Sequence, residues 1–499
     1  MIDHHPEYNL YGTLRKDGKF LFFLLFFASL LFVFVSLAHP ILPGSVIDTY
    51  LSSCDSTSSG MRTFGSVFAL CHILEMSYFI INIILLSLYL IHVLATYYIG
   101  SFFGVWIARV SAMIVLCHAQ IAVLFHTVGS EMLVCVGLSL LVAFVLHVHQ
   151  SEKYLSVIAV ALLAFFVSMF RPEYIIFTAI GVYPVFCRLK NSIMDRIKYT
   201  LVYISCVLFL VSGYSVYNYI NSSFVGLVNG VGQLNFLNMF PSRSIFNINP
   251  MLDEQNGPSS KLLFKVVKEH LLNGEEYMLC TRHQKHILRA KDFFTSKYEM
   301  NWTDMINEVE RHAPGQNLIF KASMEAIQRD PLRYILGSWI FPAFHQAHVK
   351  TDFYLPMNHS SSVPDQKSLP QDHETIDRNR ESTQPPDHSR EAMVQYMSSQ
   401  KGNYHAAFFL KYSLFDLVPP ISYFMFFSLF IFLDRRKEYR VLLSILLPTY
   451  CIFLLYSQLS VHSRLRLPYD FIFIISGILG MIVFHERIKH FFRPQSSET

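Results

Sequence analysis

One acidic residue near the start of the chain has the setting of a general base. Asp48 is the first carboxylate in the stretch His39-Pro-Ile-Leu-Pro-Gly-Ser-Val-Ile-Asp48, which follows a long apolar run. Pro40 and Pro43 end a helix and turn the chain back, so Asp48 is expected at the mouth of a helical bundle. A carboxylate there could take a proton from a reacting hydroxyl group. An Asp before Thr-Tyr-Leu is equally a normal helix cap, and both roles stay open.

Arginines at two other places have the chemistry of phosphate ligands. Arg171-Pro172-Glu173 joins two apolar runs with almost no loop between them, and Arg464 and Arg466 precede the last apolar run. The planar guanidinium donates two parallel hydrogen bonds and keeps its charge, which suits a phosphate. A structural Arg171–Glu173 pair is the alternative for the first place. If the three arginines converge with Asp48, they would place cations for a phosphate beside a carboxylate for a proton, and a lipid-linked phosphate would fit both.

A further acidic residue belongs with this group. Glu131 closes the short turn His126-Thr-Val-Gly-Ser-Glu131 between two apolar runs, where it would start a helix facing the same cavity. Its other interpretation is an ordinary acidic residue at a helix N-terminus.

The elements that must position these residues are transmembrane helices. The 499 residues are 52% hydrophobic and only 15% charged, with 45 Phe, whereas soluble domains carry about a quarter charged residues. Apolar runs of about 20 residues, the length that crosses a bilayer, recur along the chain. We predict an all-α polytopic membrane protein with about ten transmembrane helices. The predicted spans cover residues 20–39, 77–99, 104–125, 130–149, 153–170, 171–187, 199–221, 412–433, 440–460 and 466–485.

Charge and cysteine content exclude two other classes of protein. The net charge of +4 is scattered, so it does not form the concentrated basic stripe that a nucleic-acid partner requires. The eight cysteines include no CxxC pair, which argues against a zinc module or a disulfide framework.

The distribution of basic residues predicts the orientation. With the N-terminus in the cytoplasm, the short inner segments collect most Lys and Arg of the connecting loops, and the opposite short loops hold only Arg62, Arg171, Arg464 and Arg466. The first loop and the long segment between spans seven and eight then lie outside.

Three regions follow from this topology. Residues 1–221 form an N-terminal transmembrane core with a first outer loop, 40–76, in which 61–74 has the period of an amphipathic helix. Residues 222–411 form an extracytoplasmic domain, mixed or mainly α, with helices predicted at 261–270 and 318–328. Within it, 355–395 has the composition of a disordered insertion. Residues 412–499 form the C-terminal transmembrane helices.

The order of these motifs resembles that of integral-membrane GT-C glycosyltransferases, in the group of aminoarabinose transferases and protein O-mannosyltransferases. The resemblance covers most of the chain. It rests on Pro43-Gly-Ser-Val-Ile-Asp48-Thr-Tyr50-Leu, Arg171-Pro172-Glu173, Asp330-Pro331-Leu-Arg333-Tyr334-Ile before Trp339, and Ser463-Arg464-Leu-Arg466-Leu-Pro468.

This resemblance implies transfer of a sugar from a polyprenyl-phosphate donor to an acceptor on the outer face, with inversion at the anomeric carbon. Asp48 would take the proton of the acceptor hydroxyl, and Arg171, Arg464 and Arg466 would stabilise the leaving lipid phosphate. Secondary candidates for orienting the acceptor are Asp55, Glu131, Glu173 and Tyr50. The resemblance implies no certain cofactor and leaves a requirement for a divalent metal open; Mg²⁺ or Mn²⁺, if bound, would be held by Asp48 and Glu131. The first loop lacks the paired acidic residues of the family, and about ten spans are fewer than its members have.

The resemblance leaves the acceptor and the compartment open. The acceptor could be a lipid, a glycan or a protein. The bacterial plasma membrane with a periplasmic loop is favoured over the endoplasmic reticulum with a lumenal loop.

Other functions compete with this one. An O-antigen ligase or polymerase would also surround a polyprenyl phosphate with arginines, but its large outer loop usually lies nearer the C-terminus. A transporter would carry ionisable residues near mid-membrane on broken helices, whereas here they cluster at one face. An inactive relative acting as a scaffold would tolerate loss of Asp48 and Arg171.

Overall fold

A computed structural model of the protein describes part of the chain in detail. The described residues are 17–43, 47, 51, 54, 63–150, 153–186, 192–222, 225, 255–266, 309, 311–312, 318–334, 389–400, 402–403, 405–406, 418–434, 436–459 and 466–491. They are mostly helical. The elements in chain order are α1 Gly18–Ala38, β1 Leu42–Pro43, α2 Phe64–Leu74, α3 Tyr78–Ser101, α4 Val105–Cys117, α5 Ala119–Leu124, β2 Thr127–Val128, α6 Ser130–Gln150, α7 Tyr154–Phe170, a 3-10 helix Pro172–Gly181, α8 Val182–Phe186, α9 Ile193–Ser222, α10 Pro258–Val266, α11 Leu318–Arg329, α12 Pro331–Tyr334, α13 Arg390–Ser399, α14 Ile421–Phe432, α15 Lys437–Leu459, a 3-10 helix Leu467–Tyr469 and α16 Asp470–Phe491.

Five of these helices, α1, α3, α6, α9 and α16, are long and apolar enough to cross a membrane. They coincide with five of the predicted spans. Shorter apolar helices occupy other predicted spans, among them α4, α7 and α14. By their length and composition, these helices are compatible with a membrane protein.

The chain divides into two compact units. The first comprises Met1–Leu227, Lys350–Pro448 and Leu467–Thr499, and it contains all five of the long apolar helices. The second comprises Val228–Val349 and Thr449–Arg466. In the second unit α10 packs on α11, and the Glu325 carboxylate accepts the backbone N–H groups of Ser259 and Ser260 at 2.9 and 2.8 Å. The helix predicted at 318–328 is α11, and α10 covers the start of the one predicted at 261–270.

The core of the first unit is formed around α6 and α16. In the most apolar stretch of each, 72% of α6 and 83% of α16 is buried, against 22% of α1 and 11% of α9. Phe22, Phe26 and Phe27 of α1 are exposed. In a soluble protein such a row would be a liability, but in a membrane it faces lipid.

Two glycines bring α16 close to α14. A Cβ at Gly477 would lie 2.7 Å from the Phe424 Cα, and a Cβ at Gly480 would collide with the Phe427 carbonyl. Positions 477 and 480 share one face of the helix, so the pair lets two backbones meet.

The predicted span 104–125 is interrupted. His118 adopts φ −77°, ψ 79° between α4 and α5, so the helix stops and starts again there. Neither proline nor glycine occurs between 105 and 124, so the sequence contains no breaking residue. The His118 side chain instead forms a tertiary contact with Asp470.

The predicted span 171–187 is largely a 3-10 helix. Pro172–Gly181 form this helix, and α8 continues it. A 3-10 helix rises about 2.0 Å per residue against 1.5 Å in an α-helix, so its ten residues cover about 20 Å. A short apolar run can thereby reach further than its length indicates.

A short parallel β-pairing between β1 and β2 joins the segment after α1 to the turn between α5 and α6, at one end of the helices. Leu42 pairs with Thr127 and Pro43 with Val128, and the Leu42 N–H donates to the His126 carbonyl at 2.9 Å. We call this end of the first unit the β1–β2 end. α1 ends there, α6 begins there, and α13 packs against β1.

The β1–β2 end also contains a disulfide, which corrects one expectation from the sequence. Cys54 and Cys71 are bonded to each other, and Cys71 lies in α2. Two cysteines without a CxxC spacing thus form a bridge because the fold places them side by side. Cys117, Cys135, Cys206 and Cys451 are free thiols.

The last residues of the predicted insertion 355–395 are helical, while 355–388 lie outside the described residues. Ser389 caps α13 by accepting the Ala392 N–H at 3.2 Å. Arg390 pairs with Glu75 just after α2, and Tyr396 packs edge-on against Tyr78 with ring centroids 5.4 Å apart. These tertiary contacts order a segment whose composition alone indicates disorder.

Candidate functional site

Three of the predicted site residues have described side chains. These are Glu131, Arg171 and Arg466. The backbone of Glu173 lies in the first turn of the Pro172–Gly181 helix. The proposed base Asp48 lies outside the described residues, as do Tyr50, Asp55 and Arg464.

Arg171 and Glu131 form an ion pair at the β1–β2 end. The Arg171 Nη1 atom lies 3.4 Å from the Glu131 Oε1 atom, and the two side chains are 13% and 11% exposed. Arg171 follows the last residue of α7, and Glu131 lies in the first turn of α6. This pairing joins two helices, and the side chain of Glu173, the other partner that the sequence offered for Arg171, lies outside the described part of the chain.

The N-terminus of α6 stabilises the Glu131 carboxylate. Negative charge in a first helical turn interacts favourably with the unpaired N–H groups there. The Ser130 hydroxyl lies 3.5 Å from Oε2, and a Cβ at Gly129 would come within 3.0 Å of the same atom. Gly129 therefore leaves the space that the carboxylate occupies.

β1 leads from this cluster towards the predicted base. Pro43 pairs with Val128, which is followed by Gly129, Ser130 and Glu131. Ile47, which precedes Asp48 in sequence, is 4% exposed. Pro43, five residues before Asp48 in sequence, thus lies beside the turn that carries Glu131.

Arg466 is the one member of its predicted pair with a described position. It is 2% exposed and immediately precedes the 3-10 helix Leu467–Tyr469, which leads into α16. An arginine so deeply buried requires negative or polar groups around it. Its burial agrees with a role inside the protein instead of in solvent.

A second polar cluster, absent from the predicted site, lies inside the first unit. The His118 Nε2 atom lies 3.8 Å from the Asp470 Oδ2 atom, with side chains 9% and 0% exposed. Asp470 is the first residue of α16, and His118 occupies the break between α4 and α5.

Next along the core, Cys135 of α6 lies against His92 of α3. The Cys135 Sγ atom is 3.6 Å from His92 Nδ1, and the His92 ring packs edge-on against Phe471 at 5.4 Å. All three residues are buried. The sequence signal for this cluster was present, since His92, His118 and Asp470 are ionisable residues within or beside apolar runs, where such residues are costly.

His126 fixes the turn before β2 onto α1. Its Nε2 atom lies 2.8 Å from the Ser36 hydroxyl, and its Nδ1 atom lies 2.8 Å from the Ala122 carbonyl. A neutral imidazole that donates from Nδ1 can accept the Ser36 proton at Nε2. This contact holds the turn that carries Glu131.

The described side chains do not assemble a metal site. Among them, no group of three or more His, Cys, Asp or Glu lies close enough to hold a metal ion. Of the two suggested ligands, Glu131 pairs with Arg171 and Asp48 is outside the described part of the chain.

Comparisons of this chain with protein-family models, with curated proteins and with solved structures found no match. A functional assignment therefore rests on the residues and the geometry of the chain itself.

Proposed function

We propose that the protein is a GT-C-like membrane glycosyltransferase, which moves a sugar from a polyprenyl-phosphate donor to an acceptor at the β1–β2 end. The observation that carries this proposal is the Arg171–Glu131 pair, which lies between two helix ends beside the strand leading to Asp48. It combines a fixed cation with a carboxylate at the end of apolar helices. A cation at this position suits a lipid-linked phosphate, because the lipid tail lies in the membrane and the phosphate charge lies at its boundary, and a carboxylate nearby suits the hydroxyl group of an acceptor.

Arg171 would hold the donor phosphate. Its guanidinium is mostly but not fully buried, so an anion in a low-dielectric site would interact with it more strongly than in water. The donor charge grows as the sugar leaves, because the bond between the anomeric carbon and the phosphate oxygen breaks. Arg464 and Arg466 would add positive charge to the same leaving group.

Asp48 would act as the base. As the acceptor oxygen forms its bond to the anomeric carbon, Asp48 takes the hydroxyl proton and the lipid phosphate departs with the electron pair of the broken bond. Attack on the face opposite the phosphate inverts the configuration. Glu131, with Asp55, Glu173 and Tyr50, would orient the acceptor, and a bound Mg²⁺ or Mn²⁺ would engage Asp48 and Glu131.

About ten spans and an outward β1–β2 end complete the proposed topology. Two observations support this orientation. Basic residues such as Lys198, Arg440 and Arg487 lie near the ends of α9, α15 and α16, in the segments predicted inside. The Cys54–Cys71 disulfide lies at the other end, and disulfides persist in oxidising compartments such as the periplasm or the lumen of the endoplasmic reticulum. The bacterial plasma membrane remains the favoured location.

The test is a transfer assay with protein purified in detergent. Radiolabelled polyprenyl-phosphate sugars and a membrane extract are supplied to the native chain, to Asp48→Asn and to Arg171→Ala. Arg440→Ala, an exposed arginine in α15, is the matched control. Both site variants should lose about 10²-fold or more of the activity, and the control should keep it.

Two results would count against the proposal. Transfer that survives Asp48→Asn would move the base to another carboxylate. If thermal unfolding shows that the native chain is folded and no donor supports transfer, the enzyme assignment is wrong.

The His118–Asp470 pair favours a second candidate, a transporter. Broken helices with ionisable residues inside the bundle are typical of transport paths, and α4–α5 has both features. Reconstitution in liposomes separates the two functions. Solute uptake that Asp470→Asn abolishes, without any sugar transfer, would support the transporter.

A further inference from the structure

An apolar groove runs along one face of α4 in the first unit. It has a volume of about 430 Å³, and α4 lines it from Trp106 to Cys117, with Val418 and Pro419 before α14 on another side. At 1.5 Å per residue, that stretch of helix is about 16 Å long. An apolar groove of this length suits an extended hydrocarbon chain better than a compact polar molecule.

One charged residue lines this groove. Arg109 donates from Nε and Nη2 to the two carboxylate oxygens of Asp17, at 3.1 and 2.6 Å, and its guanidinium lies 5.5 Å from the Phe20 ring centroid. Among the described residues, no hydrogen bond uses Nη1. The Arg109 side chain is 48% exposed. Asp17 thus fixes one edge of the guanidinium and leaves the Nη1 edge available beside the groove.

The position of Arg109 on α4 is that of a membrane boundary. It lies one turn from the start of the helix, and its partner Asp17 precedes α1. Trp106, one turn earlier, is 62% exposed, and tryptophan prefers the interface between lipid and water. A lipid molecule standing there would place its phosphate at the level of Arg109 and its acyl chain beside the apolar residues.

We propose that Arg109 and the α4 groove form a binding site for one anionic glycerophospholipid. The headgroup phosphate accepts from the Nη1 edge of Arg109, and an acyl chain lies along Val110, Met113 and Ile114. This site is separate from the Arg171–Glu131 cluster. Asp17 lies just before the first residue of α1, whereas β1, which lies beside that cluster, follows the last residue of α1. The site therefore belongs to the opposite end of α1, about 30 Å away along the helix.

Native mass spectrometry of the detergent-purified chain tests this proposal. Phosphatidylglycerol and phosphatidylcholine with the same acyl chains are titrated separately. We expect one phosphatidylglycerol to bind about tenfold more tightly than phosphatidylcholine, and Arg109→Gln to remove that preference. Inorganic phosphate should not compete, because it lacks the chain that fills the groove.

A matched pair separates lipid recognition from a structural role of the ion pair. Asp17→Asn breaks the same pair but keeps the Arg109 charge, so it should keep or strengthen the preference. Met113→Trp fills the groove and should weaken the binding of both lipids. Val33→Trp, on the exposed face of α1, should weaken the binding of neither.

Three outcomes would overturn the proposal. If Arg109→Gln and Asp17→Asn lose the preference for phosphatidylglycerol equally, the Arg109–Asp17 pair only stabilises the fold and does not bind the lipid. Phosphatidylcholine also carries a phosphate but has no net charge, so equal binding of the two lipids by the native chain would contradict the recognition of an anionic headgroup, and this comparison stands even if a variant fails to fold. A polyprenyl phosphate that binds the groove in preference to both phospholipids would assign it to another ligand.

Discussion

Arg171 and Glu131 lie forty residues apart in sequence, yet their side chains meet, with Nη1 and Oε1 separated by 3.4 Å. The contact joins the end of α7 to the start of α6. It means that the arginine proposed to hold a donor phosphate already has a negative partner. An incoming phosphate must share the guanidinium with that carboxylate or displace it.

This relationship predicts opposite effects for two substitutions of Glu131. Glu131→Gln keeps an acceptor for Arg171 but removes the competing charge, so the donor KM should fall about fivefold, which corresponds to about 1 kcal/mol. Glu131→Ala removes the acceptor as well, so Arg171 loses its orientation and KM should rise. Steady-state transfer kinetics with varied donor measure both. A rise of KM in both variants would show that the charge of Glu131 is itself required.

The buried His118–Asp470 pair should contribute strongly to stability. Removal of one partner of a buried ion pair removes the charge interaction with the other and costs about 3–5 kcal/mol. We therefore expect Asp470→Leu or His118→Leu to lower the Tm in detergent by several degrees. The double variant should lose less than the sum of the two single variants. Additive losses would show that the two groups do not interact.

The close approach of α14 and α16 predicts a sharp difference between two glycines. Gly480→Leu forces a side chain into the Phe427 backbone and should destabilise the protein by about 1–3 kcal/mol or more. Gly213 of α9 has no atom within 4 Å of an added Cβ, so Gly213→Leu is the matched control and should be neutral. Thermal unfolding by intrinsic fluorescence compares them. Equal Tm values would contradict the packing of these helices.

The Cys54–Cys71 bridge joins two cysteines that are seventeen positions apart in sequence. Constraint of the unfolded chain by a loop of this length contributes about 3 kcal/mol. Cys71→Ser should therefore lower the Tm, and reductant should lower it in the native chain but not in the variant. Cys206→Ser, at a free thiol, is the control. If reductant changes neither the gel mobility nor the Tm of the native chain, the bridge is absent.

Acid should weaken the contact between Asp17 and Arg109. The hydrogen bond from Arg109 lowers the pKa of Asp17, and the Tyr97 hydroxyl adds to this, although burial acts against it. A carboxyl with a lowered folded pKa contributes stability above its unfolded pKa, about 3.9, and loses it as the pH falls through the folded value. Between pH 6 and 3 the native chain should thus lose more stability than Asp17→Asn. If the Tm of the native chain and that of Asp17→Asn fall equally with pH, the Asp17 carboxylate contributes no stability.

Much of the fold was predictable from the sequence. Lipid is the solvent for apolar runs of about 20 residues, and a helix is the structure that satisfies their backbone groups there, so α1, α3, α6, α9 and α16 coincide with predicted spans. The sequence also indicated that Arg171 and Glu131 lie at helix ends, because charged residues are excluded from long apolar stretches. These are local properties of composition and length.

What the tertiary structure decided depends on residues far apart. The pairing of Arg171 with Glu131, the break at His118, and the bridge between Cys54 and Cys71 have no local signature. Each arises because packing brings a partner from another helix or loop within a few ångströms. A buried charge must then be paired and a buried polar group must be hydrogen-bonded. The sequence determined which segments are helices, and only the packing of those helices determined which of their polar side chains meet.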